Sequence, residues 1–242
     1  MQSLYGAIAN TNKKEIMVSV DAVYQKVLAI ANKEQRGYIT PQEFNLFADH
    51  AQKDIFRQYF YDLEQFQRRT DGTAELIQDK IAEFKVYSPM GESLNLIDIP
   101  NFYKVFQITL HNPDTHLDVV AEKIQYEDFY AMNISPLTRA NASRPVFYIR
   151  ERKINVFPEG LTNWHLRYIR EPISPNWTYV IVGESAMFND DRPGFMDFEL
   201  HESEETLLVI KILQLAGINI KDPALVQLAS QEEVKKIQQE KQ

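Results

Sequence analysis

The chain reads as an α+β protein, and two changes of hydrophobic period carry that reading. Apolar residues recur at three-to-four spacing near both ends, and they alternate at every second residue through much of the middle. The expected arrangement is an N-terminal helix–turn–helix with a long second helix, an antiparallel β-sheet in the middle, and C-terminal helices. Along the sequence this gives an arm at 1–16, a helical region at 17–84 and a mixed region at 85–183 containing one helix at 117–132. A loop, the C-terminal helices and a tail fill 184–242.

The first sixteen residues are polar and interrupted by Asn10, Asn12, Lys13 and Lys14. They read either as a flexible arm or as a remnant ahead of a natural start at Met17, and the sequence does not separate the two. From Val18, the positions Val20, Val23, Tyr24, Val27, Leu28 and Ala31 trace one amphipathic helix. Gly37 supplies the left-handed backbone position that ends it. Thr40 then serves as N-cap, Pro41 sits at the first helical position where its missing N–H is harmless, and Glu43 completes a capping box.

The second helix runs from Pro41 to about Arg69 along a stripe of Phe44, Phe47, Ala48, Ala51, Ile55, Tyr59, Leu63 and Phe66. Phe56 and Phe60 widen that stripe beyond what one helical partner needs. Two readings follow: core, or an interface with another subunit, where aromatic residues are enriched. The face of Phe44, Phe56, Tyr59 and Phe60 is the candidate subunit contact.

Asp71-Gly72 marks a turn, Glu75–Phe84 a short helix, and Ser88–Gly91 a loop. Leu94–Leu110 alternates with β-favouring residues, bent at Pro100-Asn101. Leu117–Met132 returns to helical spacing through Val120, Ile124, Phe129 and Met132. Strands are expected at Pro145–Arg150, Lys153–Phe157 and Trp164–Arg170, where short links favour antiparallel hairpins and Ile169 breaks the alternation. Trp177–Val182 adds a further strand, and Gly183–Gly194 reads as loop. Glu204–Ala216 is a compact apolar helix stopped by Gly217, and Asp222 with Pro223 opens the last one.

At 242 residues, with 44% hydrophobic and 25% charged residues, the chain can bury one sizeable core or two small ones. The absence of cysteine excludes disulfides, thiol nucleophiles and thiolate metal sites, and it suits synthesis in a reducing cytoplasm. A formal net charge of −8 argues against sequence-independent binding to phosphate backbones. No basic block is longer than Arg68-Arg69, Arg150-Glu151-Arg152-Lys153 or Lys235-Lys236.

The turn after the first helix imitates a calcium loop. Counting from Asn32, Gly37, Ile39 and Glu43 fall at the sixth, eighth and twelfth positions, as an EF-hand requires. The coordinating positions do not follow, because Asn32 is neutral, Glu34 is too long, and Arg36 puts a fixed cation where an oxygen belongs. Helix–turn–helix geometry outweighs calcium binding.

Catalytic patterns are equally broken. His111-Asn112-Pro113-Asp114-Thr115-His116 offers two imidazoles and a carboxylate to a metal, at a spacing that a proline loop reaches by chance. His201-Glu202-Ser203-Glu204-Glu205 lacks the second histidine of a zincin helix and reads as a solvated acidic helix start. No Gly-x-Ser-x-Gly elbow or glycine-rich phosphate loop occurs. The pairs Asp190-Asp191 and Glu204-Glu205 sit in polar runs and read as surface. No catalytic, cofactor-binding or metal-binding residue is therefore assigned, and no enzyme is expected.

Three segments carry a resemblance. They are Ala31-Asn32-Lys33 through Gly37–Asn45 to Ile55–Phe60; Tyr168-Ile169-Arg170-Glu171-Pro172 with Pro175-Asn176-Trp177; and Leu215-Ala216-Gly217-Ile218. Together they resemble a virion protein of short-tailed bacteriophages, the crAss-like group and its relatives. That resemblance implies a ring or adaptor subunit between portal and tail, twelve-fold and homo-oligomeric, through which DNA passes. It also implies portal and tail proteins as partners, and location in the virion after synthesis in the host cytoplasm. The competing expectations are a calcium- or peptide-binding helical module built on Asn32–Glu43, and an enzyme whose site assembles from distant residues.

Overall fold

The computed structural model describes residues 17–33, 39–69, 75–90, 96, 99–111, 117–159 and 164–217. Helices flank antiparallel strands, giving the α+β class. In chain order the elements are α1 (Val20–Lys33), α2 (Pro41–Arg69), α3 (Glu75–Ala82), β1 (Lys85–Met90), β2 (Phe102–His111), β3 (Asp118–Val120), β4 (Glu122–Lys123), α4 (Tyr126–Ile134), β5 (Val146–Arg150), β6 (Lys153–Phe157), β7 (Trp164–Arg170), β8 (Tyr179–Val182), β9 (Ser185–Phe188) and α5 (Glu205–Leu215). They fall into two compact units, one from the described parts of Met1–Ile81 and Pro172–Gln242, the other from Ala82–Glu171.

The first unit is built on helices from both chain ends, with α5 against α1 and α2. Val20, Val23, Tyr24, Val27 and Ala31 are buried on α1 at helical spacing, and Leu208, Val209, Ile212 and Leu213 on α5. The start of α1 is held from far along the chain, where the Val20 amide donates to Asp197 Oδ1 at 2.9 Å. The capping box of α2 forms as its sequence predicts. The Thr40 amide donates to Glu43 Oε2 at 3.0 Å, and the Glu43 amide donates to Thr40 Oγ1 at 3.3 Å. At the other end of the unit, Gly217 stops α5 at φ 71° and donates to the Gln214 carbonyl at 3.0 Å.

The second unit is a pair of sheets around one core. One sheet has the order β1-β7-β2-β3, all antiparallel. The other has the order β4-β5-β6, with β4–β5 parallel and β5–β6 antiparallel. Val105, Ile108, Leu110, Phe147, Ile154, Trp164, Leu166 and Tyr168 form its buried centre. Strands β6 and β7 have the bounds expected from alternation, and both Tyr168 and Ile169 are buried where that alternation breaks. Glu151 and Arg152, both at positive φ, make the two-residue turn between β5 and β6.

Four local expectations are corrected. The helix expected at 117–132 is instead β3, β4 and the shorter α4. Its helical spacing is coincidental, because Ala121 turns into the core and its amide donates to the Ile108 carbonyl at 2.8 Å. The loop expected from Ser88 is strand through Met90, since β1 lies at a sheet edge, where proline is tolerated. The loop expected at Gly183–Gly194 contains β9, which pairs with β8 across Gly183-Glu184, with Gly183 at φ 65°. Glu204, expected on the solvated surface, is buried and paired with Lys80 Nζ at 2.9 Å.

Several expectations lie outside the described residues: the arm at 1–16, Gly37 and the turn around it, Asp71-Gly72, Asp114 and His116, and the helix opening at Asp222. Of the strand expected across Leu94–Ile99, only Leu96 and Ile99 are described, and both are buried.

Candidate interaction surfaces

Among its described residues, most of the apolar stripe of α2 is core. Phe44, Phe56 and Tyr59 are buried and only Phe60 is partly accessible, so the face proposed from sequence as a subunit contact is covered within its own unit. Burying Phe44 and Phe56 contributes about 1.5–3 kcal/mol each. The stripe is broad because it meets more than a helix. Tyr24 of α1 lies edge-on to Phe44 at 4.7 Å and tilts against Trp177 at 4.1 Å.

Residues carrying the phage resemblance meet at this point. Asn45 Nδ2 donates to Asn176 Oδ1 at 2.8 Å, the Trp177 amide donates to Asn45 Oδ1 at 2.8 Å, and Trp177 Nε1 donates to Asp21 Oδ1 at 2.8 Å. Seven residues on, fully buried Gln52 bridges two strands of backbone. Its Nε2 donates to the Ile173 carbonyl and its Oε1 accepts from the Glu199 amide, each at 2.8 Å. Those side chains are structural.

Beyond Trp177 the chain leaves the core as the β8–β9 hairpin. Its base is fixed where Trp177 stacks on Tyr179 and Phe188, at 5.6 and 6.0 Å, and where the Thr178 hydroxyl donates to the Asn189 carbonyl. Its outer part is apolar and open, with Val180, Val182 and Met187 exposed and Ile181 72% exposed. Among the described residues, each strand pairs with the other strand alone. A lone two-stranded hairpin is marginal in water, and exposed edges invite pairing.

A second surface is the outer face of the β1-β7-β2-β3 sheet, open around Tyr87, Phe106 and Arg167 and covered at Ile169. Register places Lys85, Ile169 and Lys104 in one row, and Tyr87, Arg167 and Gln107 in the next. Core-facing Val86, Tyr168 and Val105 make the row between them. Tyr87 is 54% exposed and Phe106, at a bulge, 50%. Lys85 Nζ sits 4.6 Å from the centre of the Phe106 ring, and Arg167 Nη1 donates to Gln107 Oε1 at 3.4 Å. The four strands hold Lys85, Lys104, Arg167 and Arg170 against one acid, Asp118, which faces His111 at 3.1 Å. The sequence does not show this face because its cations are scattered along the chain and meet only through strand register.

A third surface is α4, which has no buried residue. Phe129 packs on Phe157 at 4.3 Å and Arg150 lies over Tyr126 at 4.4 Å, while Tyr130 and Ile134 face outward. The hydrogen bond between the Tyr126 and Tyr130 hydroxyls, 3.0 Å apart, raises the Tyr130 phenol above its ordinary range.

Among the described residues one more group of titratable side chains gathers: Lys80 pairs with buried Glu204 at 2.9 Å, close to Tyr59 and Asp62. The Glu43 carboxylate, twelfth in the calcium-loop count, is held by Thr40, and those hydrogen bonds lower its pKa. His201 Nδ1 accepts from the Ser203 amide at 3.2 Å and starts the turn before α5. Tyr59 is pushed up by burial first and by nearby Glu204 second. Among the described residues, no three His, Asp or Glu side chains converge as a metal site would need, and no helix is long and apolar enough to cross a membrane. No protein-family model and no curated protein matches the chain.

Proposed function

We propose that this protein is a structural subunit of a phage virion, forming a homo-oligomeric ring in the portal–tail connector through which DNA passes. The observation that carries the assembly part is the open, apolar β8–β9 hairpin, with Ile181, Val182 and Met187 exposed on a rooted base. Large exposed apolar surface marks an interaction site. The phage part rests on the resemblance of the segments around Pro41–Asn45, Pro175–Trp177 and Leu215–Gly217, and the twelve-fold ring comes from the same source. A head-to-tail contact repeated between copies closes into a ring when its rotation divides a full turn. The chain's net charge of −8 suits a wall that DNA slides past without sticking.

Quantitative mass spectrometry of purified virions tests the reading. The expected result is about a dozen copies per particle, the multiplicity of a single closed ring. One or two copies, or absence from the particle, would overturn it, whereas a monomer in free solution is compatible with a subunit that assembles on a portal.

A further inference from the structure

From the chemistry of the two open β-surfaces we infer that they are the two halves of one contact: the hairpin of one copy docks on the outer sheet face of a second copy. This rests on the ring reading above and names the surfaces that would build it. The argument is complementarity. From Trp177 to Asp191 the chain has no Lys or Arg, and it carries Glu184 at the hairpin turn with Asp190 and Asp191 at its foot, beside Arg192, whose Nη1 donates to the Tyr179 carbonyl at 2.7 Å. Val180, Val182 and Met187 share this segment as exposed apolar contacts. The sheet face offers the converse, with Lys85, Lys104 and Arg167 around the exposed rings of Tyr87 and Phe106.

Each half matches the other in both charge and apolar content. The surfaces differ from one another, so the contact is head-to-tail and propagates from copy to copy. A nucleic-acid strand fits the sheet less well. Of the three cations named for the contact, Lys85 lies over a ring and Arg167 is hydrogen-bonded to Gln107. Backbone binding needs many neutralised phosphates, and it gives apolar Val180, Val182 and Met187 nothing to do.

The test uses assembled particles of the full chain, built from equal parts ¹⁵N-labelled and unlabelled protein and treated with a zero-length carbodiimide cross-linker. Mixed-isotope peptides joining Lys85 or Lys104 to Glu184, Asp190 or Asp191 are expected. They should be lost in the triple variant Lys85→Glu, Lys104→Glu, Arg167→Glu, and also in the triple variant Glu184→Lys, Asp190→Lys, Asp191→Lys. Mixing the two variants should restore cross-links between the same positions. Mixed-isotope cross-links confined to other residues would overturn the inference, as would their complete absence. So would binding of a single-stranded oligonucleotide, by fluorescence anisotropy, that depends on Arg167 while no copy-to-copy link forms. Copy number in the virion decides the ring separately, so a ring with a different contact map would sink this inference alone.

Discussion

The aromatic face of α2 and the aliphatic face of hairpin β8–β9 are both apolar and have opposite fates. On α2, Phe44, Phe56 and Tyr59 pack inside the unit formed by the two chain ends. On the hairpin, Val180, Ile181, Val182 and Met187 remain open to solvent. Periodicity identifies which residues share a face, but it does not say whether the chain itself covers that face. The stripe on α2 is wide because it meets α5 as well as Trp177 by way of Tyr24, and those partners lie far away in sequence. The comparison moves the expected assembly surface from helix to strand.

The largest effect should come from the buried side. Trp177→Ala removes a fully buried ring that tilts against Tyr24, stacks on Tyr179 and donates to Asp21. Chemical denaturation should show a loss of about 3–5 kcal/mol. A loss below 1 kcal/mol, the range of surface changes, would mean that the ring is not core.

Gln52→Leu sharpens the same side. It keeps the volume but removes the hydrogen bonds that Gln52 makes to the Ile173 carbonyl and the Glu199 amide. A cost of about 1–3 kcal/mol is expected in urea melts, as for other buried polar groups left unsatisfied. The apolar replacement should therefore destabilise a helix that looks apolar at this position.

Smaller still, Thr40→Ala should cost about 1 kcal/mol by removing the N-cap of α2. The cap also has a pH signature. The folded-state pKa of Glu43 lies below the ordinary value of 4.5, so the ionised form is favoured in the native state. Its contribution is complete above that ordinary value and is lost as pH falls through the lower folded one. Glu43→Gln should flatten stability against pH in this acid window and leave the neutral range unchanged in slope. An unaltered acid limb would contradict the capping role.

The smallest effect on stability belongs to the hairpin. Val182→Ser should shift the unfolding free energy by no more than about 0.5 kcal/mol, because the residue is exposed. The same change should reduce incorporation into assembled particles, measured by competition with the parent chain. Equal incorporation would remove the hairpin from the assembly surface.

Local chemistry was legible in the sequence, and long-range chemistry was not. The Thr40–Pro41–Glu43 start, the Gly217 stop and the bounds of β6 and β7 all follow from residues within one turn or one strand. Leu117–Met132 misled because Val120, Ile124, Phe129 and Met132 fit a helix by accident. The real constraint there is the Ala121 amide meeting Ile108 across the core. Strand β9 was hidden by its polar surroundings, and only Gly183-Glu184 after an apolar run hinted at a hairpin turn. Glu204 looked solvated because its partner Lys80 lies on a different helix. The cationic sheet face was unreadable for a related reason: Lys85, Lys104 and Arg167 become neighbours only through strand register.

The central claim is that assembly covers the open β-surfaces and leaves the α2 face as it is. Hydrogen–deuterium exchange of the free chain against the chain in assembled particles tests it directly. Slowed exchange in 179–188, with α2 peptides around Phe44–Tyr59 unchanged, is the predicted result. Unchanged exchange in the hairpin together with new protection on α2 would contradict it.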